Sequence, residues 1–143
     1  MKSLLPLLFL TISAVCATPP TGTQSENPST VTGIFGHWIG IAPDNTKIEY
    51  TFSDDGKVVW TVAGHSIHAK FITKQESKLT QIDIFEFDLP QLEGVRFLGI
   101  GEITKNKMKF FGVPSKAGKT DDGSPATRPT FFGNEAIIFD RLD

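Results

Sequence analysis

The chain has 143 residues, with 14 basic side chains against 16 acidic and a net charge of −2. No run of like charge concentrates either sign, which argues against a nucleic-acid binder or an electrostatic membrane-surface binder. The sole cysteine excludes an intrachain disulfide, so a fold of this size must be held by packing.

Residues 1–17 read as an export signal. Lys2 supplies the positive start, 4–15 is an apolar run, and Val15 and Ala17 are small enough for the −3 and −1 pockets of a signal peptidase. The run is shorter than the ~20 residues a bilayer span needs. An exported protein, secreted or periplasmic and starting at Thr18, is expected. Cys16 leaves one alternative, a lipoprotein anchored to the membrane through that residue. Ser13-Ala14-Val15 precedes it, and Val15 is a poor fit to a lipobox, so the lipid-free form is preferred. Residues 18–33 are rich in Thr, Ser and Pro and bury almost nothing; a disordered linker is expected. The remaining 34–143 form one domain.

Within that domain the hydrophobic period is two. Ile48, Tyr50 and Phe52 alternate with Lys47, Glu49 and Thr51. Val58, Trp60 and Val62 form a second series, and Ile67, Ala69 and Phe71 a third. Such alternation marks half-buried strands. Eight are predicted, at 35–41, 46–53, 57–63, 67–73, 79–86, 96–103, 107–113 and 135–142. Asp55-Gly56 between the second and third suits a type I′ hairpin. Most connections are too short for anything but antiparallel neighbours. The expected fold is therefore all-β, a small eight-stranded antiparallel up-and-down barrel, since closure removes both sheet edges.

A meander sorts its loops by parity. Connections 43–45, 64–66, 87–95 and 114–130 fall at one end, which holds both long loops and reads as an open mouth. His65, Arg128, Phe131 and Phe132 are the candidate ligand contacts there, the first two for a polar head group and the phenylalanines for an apolar body. Arg128 as a loop anchor and the phenylalanines as plain core are the competing readings. Tyr50, Phe52, Trp60, Phe71, Phe97 and Phe110 either line a cavity or fill it.

Gly36-His37-Trp38 has the Gly-x-Trp form that opens lipocalins, and Arg141 stands near the end of the last predicted strand. In order along the chain come Ile82-Asp83-Ile84, Gly99-Ile100-Gly101-Glu102-Ile103, Arg128-Pro129-Thr130-Phe131-Phe132 and Phe139-Asp140-Arg141. This series resembles a family of small secreted bacterial domains, best known from planctomycetes, described as lipocalin-like and of unknown function. The resemblance implies a lipocalin-like barrel in which Trp38 plugs the closed end and Arg141 crosses its face. Gly101, where an aromatic is usual, and a long polar 115–126 depart from the pattern.

Other motifs point to no chemistry. Gly112–Thr120 ends like a phosphate-binding loop but has one residue too many between its glycines. His37, His65 and His68 lack the spacing of a metal site, and Asp54-Asp55-Gly56 and Asp121-Asp122-Gly123 lack the spaced oxygens of a calcium loop. No nucleophile elbow or zinc-protease helix occurs. The sequence predicts a monomeric, non-catalytic protein without cofactor or metal, binding a small apolar molecule at the open end. The alternative is an envelope or extracellular interaction or inhibitor domain working through its long loops.

Overall fold

The computed structural model describes residues 32–143. The signal, Cys16 and nearly all of the linker therefore lie outside the described residues. A short 3-10 turn, Thr32–Ile34, leads into eight strands: β1 (Gly36–Ile41), β2 (Lys47–Phe52), β3 (Lys57–Val62), β4 (His65–Glu76), β5 (Leu79–Phe85), β6 (Val95–Ile103), β7 (Lys107–Lys116) and β8 (Ile137–Arg141). Each pairs antiparallel with the next, and β8 returns to β1, so the sheet is a closed up-and-down barrel. Among the described residues no helix is long and apolar enough to cross a membrane.

The eight strands stand where the alternation places them, but two are longer than expected. β4 begins at His65 and β7 runs on to Lys116. The extension of β7 takes up the start of the phosphate-loop-like segment, whose middle is a two-residue turn at Ala117 and Gly118, both at positive φ (53° and 75°). The β2–β3 turn also differs. Asp55 does not have positive φ; only Gly56 does (81°), and its N–H donates to the Ser53 carbonyl. This is a three-step turn closed by a left-handed glycine rather than a type I′ pair. The I′-like pair sits between β3 and β4, at Ala63 and Gly64.

Alternation sends one face of every strand inward. Trp38, Tyr50, Phe52, Val58, Phe71, Ile82, Met108, Phe110 and Phe139 make the buried core. Rings this large fit because glycines face them. A Cβ on Gly99 would meet the Phe110 ring at 2.5 Å and the Ile82 carbonyl at 2.6 Å, and one on Gly40 would meet Phe139 at 2.8 Å. At Gly101 the space an aromatic would take is held by Ile82, whose Cδ1 would lie 2.6 Å from an added Cβ.

The end holding the turns 53–56, 77–78 and 104–106 is sealed. Trp38 is fully buried and its indole N–H donates to the Ile34 carbonyl at 2.8 Å. The Arg141 guanidinium lies over the indole, 4.1 Å from the ring centroid. Register explains the meeting: Trp38 and Arg141 are cross-strand partners between β1 and β8. Arg141 also donates to the carbonyls of Lys105 (2.7 Å), Gly33 (2.5 Å) and Phe35, tying the entering chain to the β6–β7 turn. The opposite end carries the connections 42–46, 63–64, 86–94 and 117–136.

Candidate functional site

Below the middle of the barrel the rings pack on each other; above it they do not fill the space. Phe52 meets Phe71 edge-on, with centroids 4.9 Å apart, and Tyr50 contacts Phe52 and Phe139 at 5.5 and 5.3 Å. Towards the open end, a cavity of about 190 Å³ is bordered by Ile48, Tyr50, Trp60, Phe97, Phe110 and Ile137, with Gly112 and Glu135 at its margin. Its position follows from strand direction. Ile48 is second in β2, Ile137 begins β8, Trp60 is near the end of β3, and Phe97 is near the start of β6; all four are open-end positions.

The cavity is aromatic and almost without charge. The Tyr50 and Trp60 rings are nearly parallel, 12° apart at 6.3 Å, and Phe110 meets Tyr50 edge-on at 5.9 Å. Burial pushes the Tyr50 phenol well above its ordinary range, because a phenolate would have to be desolvated, so the ring stays neutral. Trp60 carries the one anomaly. Its Nε1–H is buried and has no hydrogen-bond partner among the described residues. A buried indole N–H ordinarily finds an acceptor, and leaving one unpaired costs about 1–3 kcal/mol. The contrast with Trp38, whose N–H is satisfied at 2.8 Å, lies within one chain.

Phe87 covers this region from the loop 86–94. Its ring meets Trp60 at 6.1 Å and Phe97 at 5.4 Å, edge-on to both. Strict alternation from inward Ile84 would turn residue 87 outward. Glu86 breaks the alternation with φ of 51°, a left-handed conformation that costs a non-glycine residue on the order of 1 kcal/mol or more. The reversal points Phe87 inward and leaves Glu86 outside, paired with Lys70 at 2.5 Å. Asp88 then fixes the loop to β4. It accepts from the His68 backbone N–H at 2.9 Å and sits 3.0 Å from the imidazole Nδ1, and the backbone bond foremost, then the imidazole, holds its carboxyl below the usual range.

Of the four residues expected at the mouth, three lie elsewhere and His65 stands on its rim without bordering the cavity. His65 is exposed at the first position of β4, on the rim. Arg128 lies against the outer wall. Its guanidinium donates to Asp83 Oδ1 at 2.5 Å and to the Gly99 carbonyl at 2.9 Å. Asp83 faces outward, since Ile82 and Ile84 face in, yet its side chain is only 8% exposed because Arg96 holds Oδ2 through two donors while Arg128 covers the other oxygen. Phe132 is also outside, beneath the Lys109 ammonium at 4.8 Å from the ring centroid. Phe131 is 74% exposed. Residues 128–132 of the long 117–136 connection thus lie against the outside of β5–β7, and only Glu135 of it reaches the cavity. None of the four borders the cavity. Within that connection Asp122 accepts from Ser124 N–H and Thr120 hydroxyl, which hold its carboxyl down to about 2 and make the segment a closed polar turn.

Of the six aromatics singled out from the sequence, Tyr50, Trp60, Phe97 and Phe110 border the cavity, while Phe52 and Phe71 fill the core beneath it. Phe87, Ile48 and Ile137 were not anticipated. For the two isoleucines the signal was present, as inward positions at the open ends of their strands. For Phe87 it was not, since it depends on a single backbone angle. Compared with protein-family models, with curated proteins and with solved structures, the chain matches none.

Proposed function

We propose that this is an exported, non-catalytic, monomeric lipocalin-like domain that binds a small, mostly apolar molecule in the upper barrel. The observation that carries the reading is the unfilled space itself: about 190 Å³ walled by apolar and aromatic side chains, in a barrel otherwise packed with rings. The recess opens on the side of the exposed Glu135, and a ligand seated in it removes apolar surface from water. The cavity is smaller than the ~300 Å³ at which drug-sized sites begin. It suits a compact molecule, not a long chain.

One observation favours a second reading, an interaction surface. On the outer wall where β1 meets β8, Ile41 and Ile138 are each 56% exposed and, with Ile39 and Pro43, edge an open groove of about 470 Å³. A partner seated there would use this wall rather than the long loops.

Calorimetric titration with toluene, on wild type and on Ile48→Phe, tests the first reading, because Ile48 borders the cavity and not the outer groove. Saturable one-to-one binding by wild type and its loss when the added ring atoms occupy the cavity are expected. Absence of binding in wild type overturns the reading, and binding undiminished in Ile48→Phe moves the site to the outer groove.

A further inference from the structure

Resting on that reading, we infer that the ligand is a neutral single-ring molecule bearing one hydrogen-bond acceptor, and that Trp60 Nε1–H is the donor that fixes its orientation. Three observations converge on this class.

The first is size. An apolar cavity of about 150 Å³ takes a benzene ring. The 190 Å³ here, open on the side of the exposed Glu135, leaves room for a ring and a few substituent atoms. The second is charge. Among the described residues no cation borders the cavity, and the one carboxylate that does, Glu135, stands at its margin. An anionic ligand would lose its hydration and meet a like charge, and a cation would be drawn to the rim, away from the apolar interior. The third is the unpaired donor. A ligand carbonyl, ether or ring-nitrogen acceptor supplies what the fold does not give Trp60, and the flat walls of Tyr50 and Trp60 suit a planar body.

Trp60 Nε1 has no exposed surface, so an acceptor reaches it only when a neighbouring ring gives way. The two rings edge-on to the indole are Phe97, set in β6, and Phe87, set in a loop beside the left-handed Glu86. Phe87 is the one carried by a connection rather than by a strand, and its displacement is part of the inference.

The test compares acetophenone with α-methylstyrene. The two have nearly the same shape and differ in replacing the carbonyl oxygen by a methylene carbon. Decanoate is the long anionic control. Calorimetry on wild type should show acetophenone binding about tenfold more tightly than α-methylstyrene, as one hydrogen bond to an otherwise unpaired donor gives, with decanoate weaker than both. Trp60→Phe keeps an aromatic wall and removes the donor, so the two ketone and alkene affinities should converge. Phe87→Ala should speed acetophenone association in wild-type background while preserving the preference. Should Trp60→Phe not fold, the wild-type indole N–H resonance of Trp60 provides the same answer: it should move downfield with acetophenone and not with α-methylstyrene. Equal affinities in wild type, a preference that survives in Trp60→Phe, an unmoved resonance, or tighter binding of decanoate overturns the ligand class while leaving a small-molecule site in place. Binding of neither ring compound overturns the site as well.

Discussion

Three side chains set the character of the barrel's two ends: Trp38 and Arg141 below, and Tyr50 beneath the cavity. Arg141 combines a cation over an indole with donation to three backbone carbonyls, geometry that a lysine ammonium lacks. Arg141→Ala is therefore expected to lower stability by on the order of 1–3 kcal/mol in chemical denaturation. Ligand affinity should be nearly unchanged, because this end is remote from the cavity; an unchanged denaturation midpoint would remove the capping role. Tyr50 gives a pH test without mutation, since it is the chain's single tyrosine. Its folded pKa is raised above the ordinary value of about 10, so the stability linked to it is present below that value and is lost as pH rises towards the folded one. Absorbance of tyrosinate near 295 nm should stay absent at about pH 11 while the protein is folded, and appear together with loss of the near-ultraviolet dichroism. Free titration near pH 10 in folded protein would mean the hydroxyl is solvated.

At the scale of elements, the two long loops differ from each other in what the sequence reveals. The strands were legible because burial imposes a period of two, and Tyr50, Phe52, Trp60 and Phe71 follow it without exception. The Trp38–Arg141 meeting was legible for a related reason: closure of an even-stranded meander makes β1 and β8 antiparallel neighbours. Phe87 was not, because its direction depends on Glu86 entering the left-handed region, and nothing about a glutamate advertises that. Arg128 was misplaced to the mouth because parity fixes where a loop begins and ends, not which wall it descends. Its destination is set by Asp83, an outward carboxylate on β5, 45 positions away. Arg128→Ala should leave Asp83 held by Arg96 alone and release 117–136 from the wall. Limited trypsin digestion should then cut at Lys116 or Lys119 many times faster than in wild type, with toluene binding retained. Unchanged proteolysis would show that the loop is held by its own turns, such as the Lys116–Lys119 backbone pair.

The whole molecule is a barrel too small to be hollow throughout and too rich in rings to be uniformly filled. Glycines at 99 and 101 let aromatic and branched side chains cross the interior. Gly99→Ala should thus cost about 1–3 kcal/mol through overpacking against Phe110 and the Ile82 carbonyl, as read from thermal or chemical unfolding. Towards the open end the space bordered by Ile48, Tyr50 and Trp60 is left unfilled. On the proposed reading the lower half is the scaffold and the upper half the site. Whether the ligand sits there or on the outer β1–β8 wall is decided most directly by intermolecular nuclear Overhauser effects from saturating toluene to the isoleucine methyls of isotope-labelled protein. Contacts to Ile48, which borders the cavity and not the outer groove, and to the Trp60 indole are predicted. Contacts confined to Ile41 and Ile138 on the outer groove, or none at all, would contradict the cavity site.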